Sequence, residues 1–145
     1  MLRTLHPMIV HFPITLFYLT ALFEGLYFAF HKDWLARAGY LLLTLSMASG
    51  VAAGLAGAIS ENYIIHHVTA ASLQILSRHK NFAELSVFTF GVGWLWRTLL
   101  ALRGRLPRGF AAFVYYLVLL IGVALISYTG FLGGSLVYDH GVGVP

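Results

Sequence analysis

The stretch from Phe110 to Val137 decides the fold. It reads FAAFVYYLVLLIGVALISYTGFLGGSLV and contains no charged residue. An apolar run of about 20 residues is long enough for a helix to cross the hydrocarbon core of a bilayer. A backbone inside lipid must satisfy its own hydrogen bonds, and the segment lacks the alternation of a barrel strand. It is therefore predicted to be a transmembrane helix.

Three further segments of the same kind precede this one. The composition agrees with them, since 59% of the 145 residues are hydrophobic and 10% are charged, whereas soluble domains have about 45–50% and about 25%. The first segment is too long for a signal sequence and lacks a small-residue cleavage site, so it is expected to be a permanent span. The chain is predicted to form one domain, an all-α integral membrane bundle of four helices. The predicted spans are residues 8–30, 35–59, 83–102 and 110–137.

Lys and Arg are distributed unequally between the two ends of this bundle. The connections after the first and third spans, with the adjoining helix ends, hold six of them, and the opposite end holds Arg3, Arg78 and Lys80. Positive residues favour the cytoplasmic side. Both chain termini are therefore expected outside the cell in a multi-pass plasma-membrane protein. The six residues are Lys32, Arg37, Arg97, Arg103, Arg105 and Arg108.

The connection between the second and third spans, from about Glu61 to Phe82, is long and contains neither Pro nor Gly. Apolar residues are interspersed with polar ones along it. This pattern predicts a short amphipathic helix lying at the outer interface, with a plain polar loop as the alternative.

Histidines are unusually frequent for a chain with so few charged residues. Six of the seven are predicted to lie at the outer end of the bundle, where neutral imidazole suits iron, copper or zinc. With no cysteine in the chain, thiolate sites and covalently attached c-type haem are excluded. The six are His6, His11, His66, His67, His79 and His140.

Two of these histidines are the strongest candidates for haem ligands. His11 lies about one turn inside the first span, where an ionisable side chain is costly and indicates function. His79 opens the third span, so the two residues are predicted to bind the iron of a b-type haem from facing helices. His6 and His140 are the candidates for a second pair, which gives one haem or two. The alternative is that these side chains are ordinary head-group residues.

Two other features are predicted to accompany the haem. Phe12 is a candidate to line one of its faces. Gly50 and Gly54 form a GxxxG motif, which permits close packing of helices and also admits the edge of a flat cofactor.

Glu24 and Arg97 lie toward the predicted cytoplasmic halves of their spans. Their placement predicts a buried ion pair that joins the first span to the third. The alternative is that Glu24 relays protons.

The opening LHPMIVHFPI (residues 5–14) and the ending TGFLGGSLVYDHGVGV (residues 129–144) resemble the motifs of a known family. It consists of small bacterial and archaeal four-helix membrane proteins, catalogued as a domain of unknown function and often described as haem-binding. The resemblance covers the whole chain and implies that His6, His11, His79 and His140 are the important positions. It also implies proximity to redox modules such as Rieske-type domains. Many relatives have histidine where this chain has Phe131.

The function predicted from these observations is a haem b membrane subunit that transfers electrons near the outer face. Its expected partners are lipid, other subunits of a redox complex or an external electron carrier, and no nucleic acid. The alternatives are a cofactor-free accessory subunit and a copper or zinc site formed by the outer histidines. A stand-alone enzyme is the least favoured class, because the outer face offers no nucleophile and base in sequence.

Overall fold

The computed structural model of the protein describes residues 5–65 and 68–142. It is helical, and four of its helices are long and apolar enough to cross a membrane, which confirms the predicted all-α class. His66 and His67 lie outside the described residues. The helices are α1 (Leu5–Ile9), α2 (His11–Phe30), α3 (Asp33–Ile64), α4 (Ala70–Leu102) and α5 (Gly109–Tyr138).

The helices form two antiparallel hairpins. α2 packs mainly along α3 and α4 mainly along α5, and the hairpins meet through the α3–α4 and α2–α5 faces. α2 and α4 are therefore diagonal to each other in the bundle. We call the end that holds the α3–α4 connection the histidine end, and the end that holds the connections 31–32 and 103–108 the arginine end.

Buried positions recur at alternating intervals of three and four residues. In α3 one series of buried residues follows this spacing, with Gly57 half-buried at the place where the pattern continues. A repeat of 3.5 residues keeps one seam of a helix against its neighbours and is typical of left-handed bundle packing. The α3 series is Ala36, Gly39, Leu43, Ser46, Gly50, Ala53 and Ser60.

Pairs of residues from different helices fill the core in layers. Phe17 stacks on Phe90 at 3.9 Å between ring centroids, and both side chains are fully buried. Thr20 and Ser46 share a hydrogen bond of 3.1 Å in the next layer. The middle of the bundle is therefore closed by aromatic and small polar side chains.

The segment predicted as a separate interfacial helix is divided between two longer helices. α3 continues to Ile64, and α4 begins at Ala70, well before the predicted start of the third span. Thr69 caps α4, because its hydroxyl accepts a hydrogen bond from the Ser72 amide at 3.2 Å. Ser72 is buried and Leu76 is half-buried in the same seven-residue register as the rest of α4. Leu76 thus faces the bundle and α4 extends the bundle through this segment, whereas Ile65 is 43% exposed.

The turns that reverse the chain at the arginine end are tightly capped. Gly104 has φ of 60°, and the amides of Gly104 and Arg105 donate to the carbonyls of Ala101 and Leu100. This is the arrangement of a Schellman motif, which favours glycine at the left-handed position. His31 ends α2 with φ of 55°, and its amide donates to the Tyr27 carbonyl.

Candidate functional site

His6 is held against α3 at the histidine end. Its Nδ1–H donates a hydrogen bond of 3.0 Å to the carbonyl of Ala53. The edge of its ring lies on Gly57, where a Cβ atom would stand 3.1 Å from the imidazole. Glycine at 57 therefore makes room for the ring, and the main chain of α3 fixes the ring's orientation.

His79 is held in the same way in the second hairpin. Its Nδ1–H donates to the carbonyl of Thr129 at 3.0 Å, and its ring lies on Gly133, where a Cβ would stand 3.1 Å away. In both hairpins the glycine follows the accepting residue by four positions, one turn along the helix. These glycines and carbonyls were not predicted from the sequence, although the spacing Ala53–Gly57 and Thr129–Gly133 is visible in it.

The two rings meet across the bundle. Their centroids are 6.3 Å apart and their planes are nearly perpendicular, at 88°. Because a carbonyl oxygen can only accept, each ring carries a proton on Nδ1, and a neutral ring with this tautomer has its lone pair on Nε2. A histidine that ligates a metal ordinarily donates its other ring N–H to a carbonyl or carboxylate, which fixes its tautomer. Both residues have this arrangement.

The structure does not bring His11 together with His79. His11 and Phe12 are exposed, with 67% of Phe12 accessible. The buried face of α2 includes Pro13, and at about 100° per residue His11 lies on the opposite side of the helix. The ring that lies against His79 is that of His6, so the predicted partner of His79 is replaced by a histidine five residues earlier.

The remaining predicted site residues also lie apart from this pair. Gly54 is exposed and a Cβ there would meet nothing within 4 Å, because the contact seam runs through Gly50, Ala53 and Gly57 instead. His140 is exposed in the turn that follows α5. The described residues thus unite His6 with His79 and leave no second histidine pair.

The buried ion pair predicted between the first and third spans is confirmed. Arg97 Nε lies 3.5 Å from Glu24 Oε1, and both side chains are almost fully buried. Arg97 Nη2 also donates to the carbonyl of Ala36 at 3.0 Å, and the guanidinium lies 5.2 Å from the centroid of the Tyr40 ring. The carboxyl of Glu24 rests on Gly39, where a Cβ would stand 2.8 Å from Oε1.

Three cross-bundle pairs share one register. In each of the pairs His6–His79, Phe17–Phe90 and Glu24–Arg97, the α4 residue follows its partner by 73 positions. The histidine pair lies near one end of the bundle and the ion pair near the other. Eighteen residues separate them along α4, which corresponds to about 27 Å.

A family of known proteins matches almost the whole chain. Residues 2–145 match the family model described as "Predicted membrane protein (DUF2231)". The chain belongs to this family. No curated protein and no solved structure matches the DUF2231 chain. Its function must therefore be argued from its own residues.

Proposed function

We propose that His6 and His79 bind the iron of one b-type haem from its two sides, and that this DUF2231 protein is an electron-carrying membrane subunit. The observation that supports this proposal is the paired construction of the two histidines. Each ring is oriented by a main-chain carbonyl at Nδ1, which leaves Nε2 as the nitrogen that can bind a metal, and the centroids are 6.3 Å apart.

The separation of the rings suits a shared metal ion. Metal–imidazole bonds are about 2.0–2.1 Å long, so two imidazoles on opposite sides of one ion have centroids about 6 Å apart. The carbonyls of Ala53 and Thr129 would hold the rings in place and raise their basicity as ligands. The two histidines therefore fit as the residues that would hold the iron.

The number of ligands favours haem over a bare metal ion. Among the residues that the structure describes, no group of three or more His, Cys, Asp or Glu side chains is placed to hold a metal. A tetrahedral zinc site needs three or four protein ligands, whereas the porphyrin of a haem supplies four nitrogens itself and leaves two positions for histidine. Haem, when bound, supplies the one-electron chemistry, and the protein supplies binding and orientation.

A buried polar group near the pair also supports a bound cofactor. The Ser60 hydroxyl is buried and has no hydrogen-bond partner within the described part of the chain. It lies less than one helical turn beyond Gly57, which contacts His6. An unpaired buried hydroxyl costs about 1–3 kcal/mol, so a polar group of the cofactor is a reasonable partner for it.

The excess of Lys and Arg at the arginine end supports an orientation with that end in the cytoplasm. The histidine end then lies on the outer side of the plasma membrane. There it would exchange electrons with other subunits of a redox complex or with an external carrier.

The optical spectrum of the purified protein, oxidised and then reduced with dithionite, tests the proposal. We expect a haem α-band after reduction and haem b in a pyridine extract. The variants His6→Ala and His79→Ala should each bind at least about tenfold less haem than the wild type. His11→Ala is the matched control, since its side chain points away from the pair, and it should retain haem.

Two results would overturn this assignment. Wild-type protein produced with ample haem and still lacking it would exclude a haem subunit. Metal analysis that finds copper or zinc retained through His6 and His79 would identify a bare metal site instead.

A further inference from the structure

A cavity of about 320 Å³ opens at the arginine end, far from the histidine pair. It lies between the last turns of α2 and the first turns of α5. His31 and Arg108, in the two connections, lie at its mouth, and Tyr27, Ala112 and Tyr116 form part of its walls. Glu24 and Tyr115 line its inner part.

The polar groups at the inner end are unusual. Glu24 Oε1 and Tyr115 Oη are buried and have no hydrogen-bond partner within the described residues. Only 2% of each residue is accessible. Buried polar groups in proteins are almost always hydrogen-bonded to protein or water, so each atom needs a partner, which the neighbouring group of this pair or water in the cavity can supply.

Among the described residues, the surroundings of Glu24 contain one full positive charge, that of Arg97, and no second carboxylate. Arg97 approaches it from α4, Tyr115 from α5, and α3 presents the main chain at Gly39. The contact with Arg97 is 3.5 Å long and lacks hydrogen-bond geometry, because Arg97 Nε is also without a partner among the described residues. The carboxyl group is thus paired by charge while its Oε1 remains available to a proton donor.

Access to Glu24 is one-sided. In the direction of the histidine end, the next layers are the Thr20–Ser46 hydrogen bond and the Phe17–Phe90 stack. All four of these side chains are fully buried. A proton can therefore approach the carboxyl group through the cavity but not through the middle of the bundle.

We propose that Glu24 is a proton-binding site that exchanges with water at the arginine end through this cavity. The carboxylate takes a proton from a hydronium ion in the cavity, which becomes water, and a neutral carboxylic acid forms. The acid returns the proton to cavity water by the same path. Arg97 keeps its charge throughout, and no oxidant or reductant is involved. The proposal does not depend on haem at the other end of the bundle.

Infrared spectroscopy of the whole protein in lipid tests this directly. Buried carboxyls in proteins can stay protonated up to about pH 8–9, so lowering the pH from about 9 to about 5 should produce the C=O stretching band of a protonated carboxyl. The band should be absent in Glu24→Gln. After transfer of the wild type to D2O the band should shift promptly, because the cavity admits water.

A matched pair of variants tests whether the proton reaches Glu24 through the cavity. Ala112→Phe fills the cavity, whereas Ala111→Phe places the same side chain on the exposed neighbouring position of α5. In Ala112→Phe the band should shift at least about tenfold more slowly after transfer to D2O. Exchange of the carboxyl proton then requires local opening of the helices. Ala111→Phe should exchange like the wild type.

The wild type alone can refute the proposal even if a variant does not fold. Dicyclohexylcarbodiimide, an apolar reagent for protonated carboxyls, should modify Glu24 at low pH, as peptide mass analysis would show. Failure of Glu24 to protonate anywhere in this pH range would overturn the proposal. Equal exchange rates in Ala112→Phe and Ala111→Phe would overturn the assigned path.

Discussion

The ring of His79 stands edge-on to the ring of His6 across the bundle, at 6.3 Å between centroids and 88° between planes. The two residues belong to different hairpins, and each is bound to its own hairpin partner by one Nδ1–H···O=C bond. Neither ring can turn without losing that bond. The main chain therefore positions the pair from both sides, and a metal site requires such preorganisation.

The glycines beneath the rings provide the first prediction. Gly57→Ala and Gly133→Ala would place a Cβ 3.1 Å from the imidazole, so the ring must shift. We expect haem content to fall about tenfold. This is the lower end of the loss of metal affinity that follows when the groups orienting a ligand are changed. Gly54→Ala and Gly130→Ala are the controls, because a Cβ at either position meets nothing within 4 Å. Normal haem content in Gly57→Ala and Gly133→Ala would contradict the proposed role of the glycines.

The buried ion pair provides a second prediction, on stability. Arg97→Met leaves the Glu24 carboxylate buried without its partner, and such a change costs about 3–5 kcal/mol. The double variant Glu24→Met, Arg97→Met removes both charges and should recover most of this loss. Thermal unfolding in detergent measures both effects. If the single variant were as stable as the wild type, the pair would not be the constraint between α2 and α4 that its burial indicates.

The aromatic layer in the middle of the bundle provides a third prediction. Phe90→Ala removes a fully buried ring that stacks on Phe17, whereas Phe88→Ala removes a ring that is 69% exposed. Because lipid is as apolar as the protein interior, only removal of the buried Phe90 ring causes a loss of packing contacts. Phe90→Ala should destabilise by about 3–5 kcal/mol and Phe88→Ala by much less. Equal unfolding temperatures for the two variants would show that the stack carries no packing energy.

Orientation in the membrane is tested by labelling. The chain has no cysteine, so a single introduced thiol is unambiguous. Asp33→Cys and Asp139→Cys place it at exposed positions of the arginine end and the histidine end. A membrane-impermeant maleimide added to intact cells should label Asp139→Cys only. Labelling of Asp33→Cys alone would reverse the orientation inferred from Lys and Arg.

Sequence patterns predicted the spans and the ion pair because these depend on coarse properties. A long apolar segment is visible without knowing its neighbours, and Glu24 and Arg97 are isolated charges whose burial requires a partner. The pairing of histidines was different. Depth along each span favours His11 over His6 as the partner of His79. Depth does not specify which side of a helix a residue occupies.

The seven-residue register contains the missing information. His6, Pro13, Thr20 and Tyr27 follow one another at this interval, and the last three are buried. The same register explains why Gly57 rather than Gly54 contacts the rest of the bundle. The hydrogen bonds from Nδ1 to the carbonyls of Ala53 and Thr129 could not be read from any pattern, because they depend on the relative height of two packed helices.

The electron paramagnetic resonance spectrum of the oxidised wild-type protein tests the central claim most directly. A ferric ion between two perpendicular imidazoles has nearly degenerate d orbitals, so His6 and His79 at 88° should produce a low-spin signal with very large g anisotropy. His11→Ala should leave this signal unchanged. A high-spin signal from a haem with one histidine ligand, or no haem signal from protein produced with ample haem, would contradict the account.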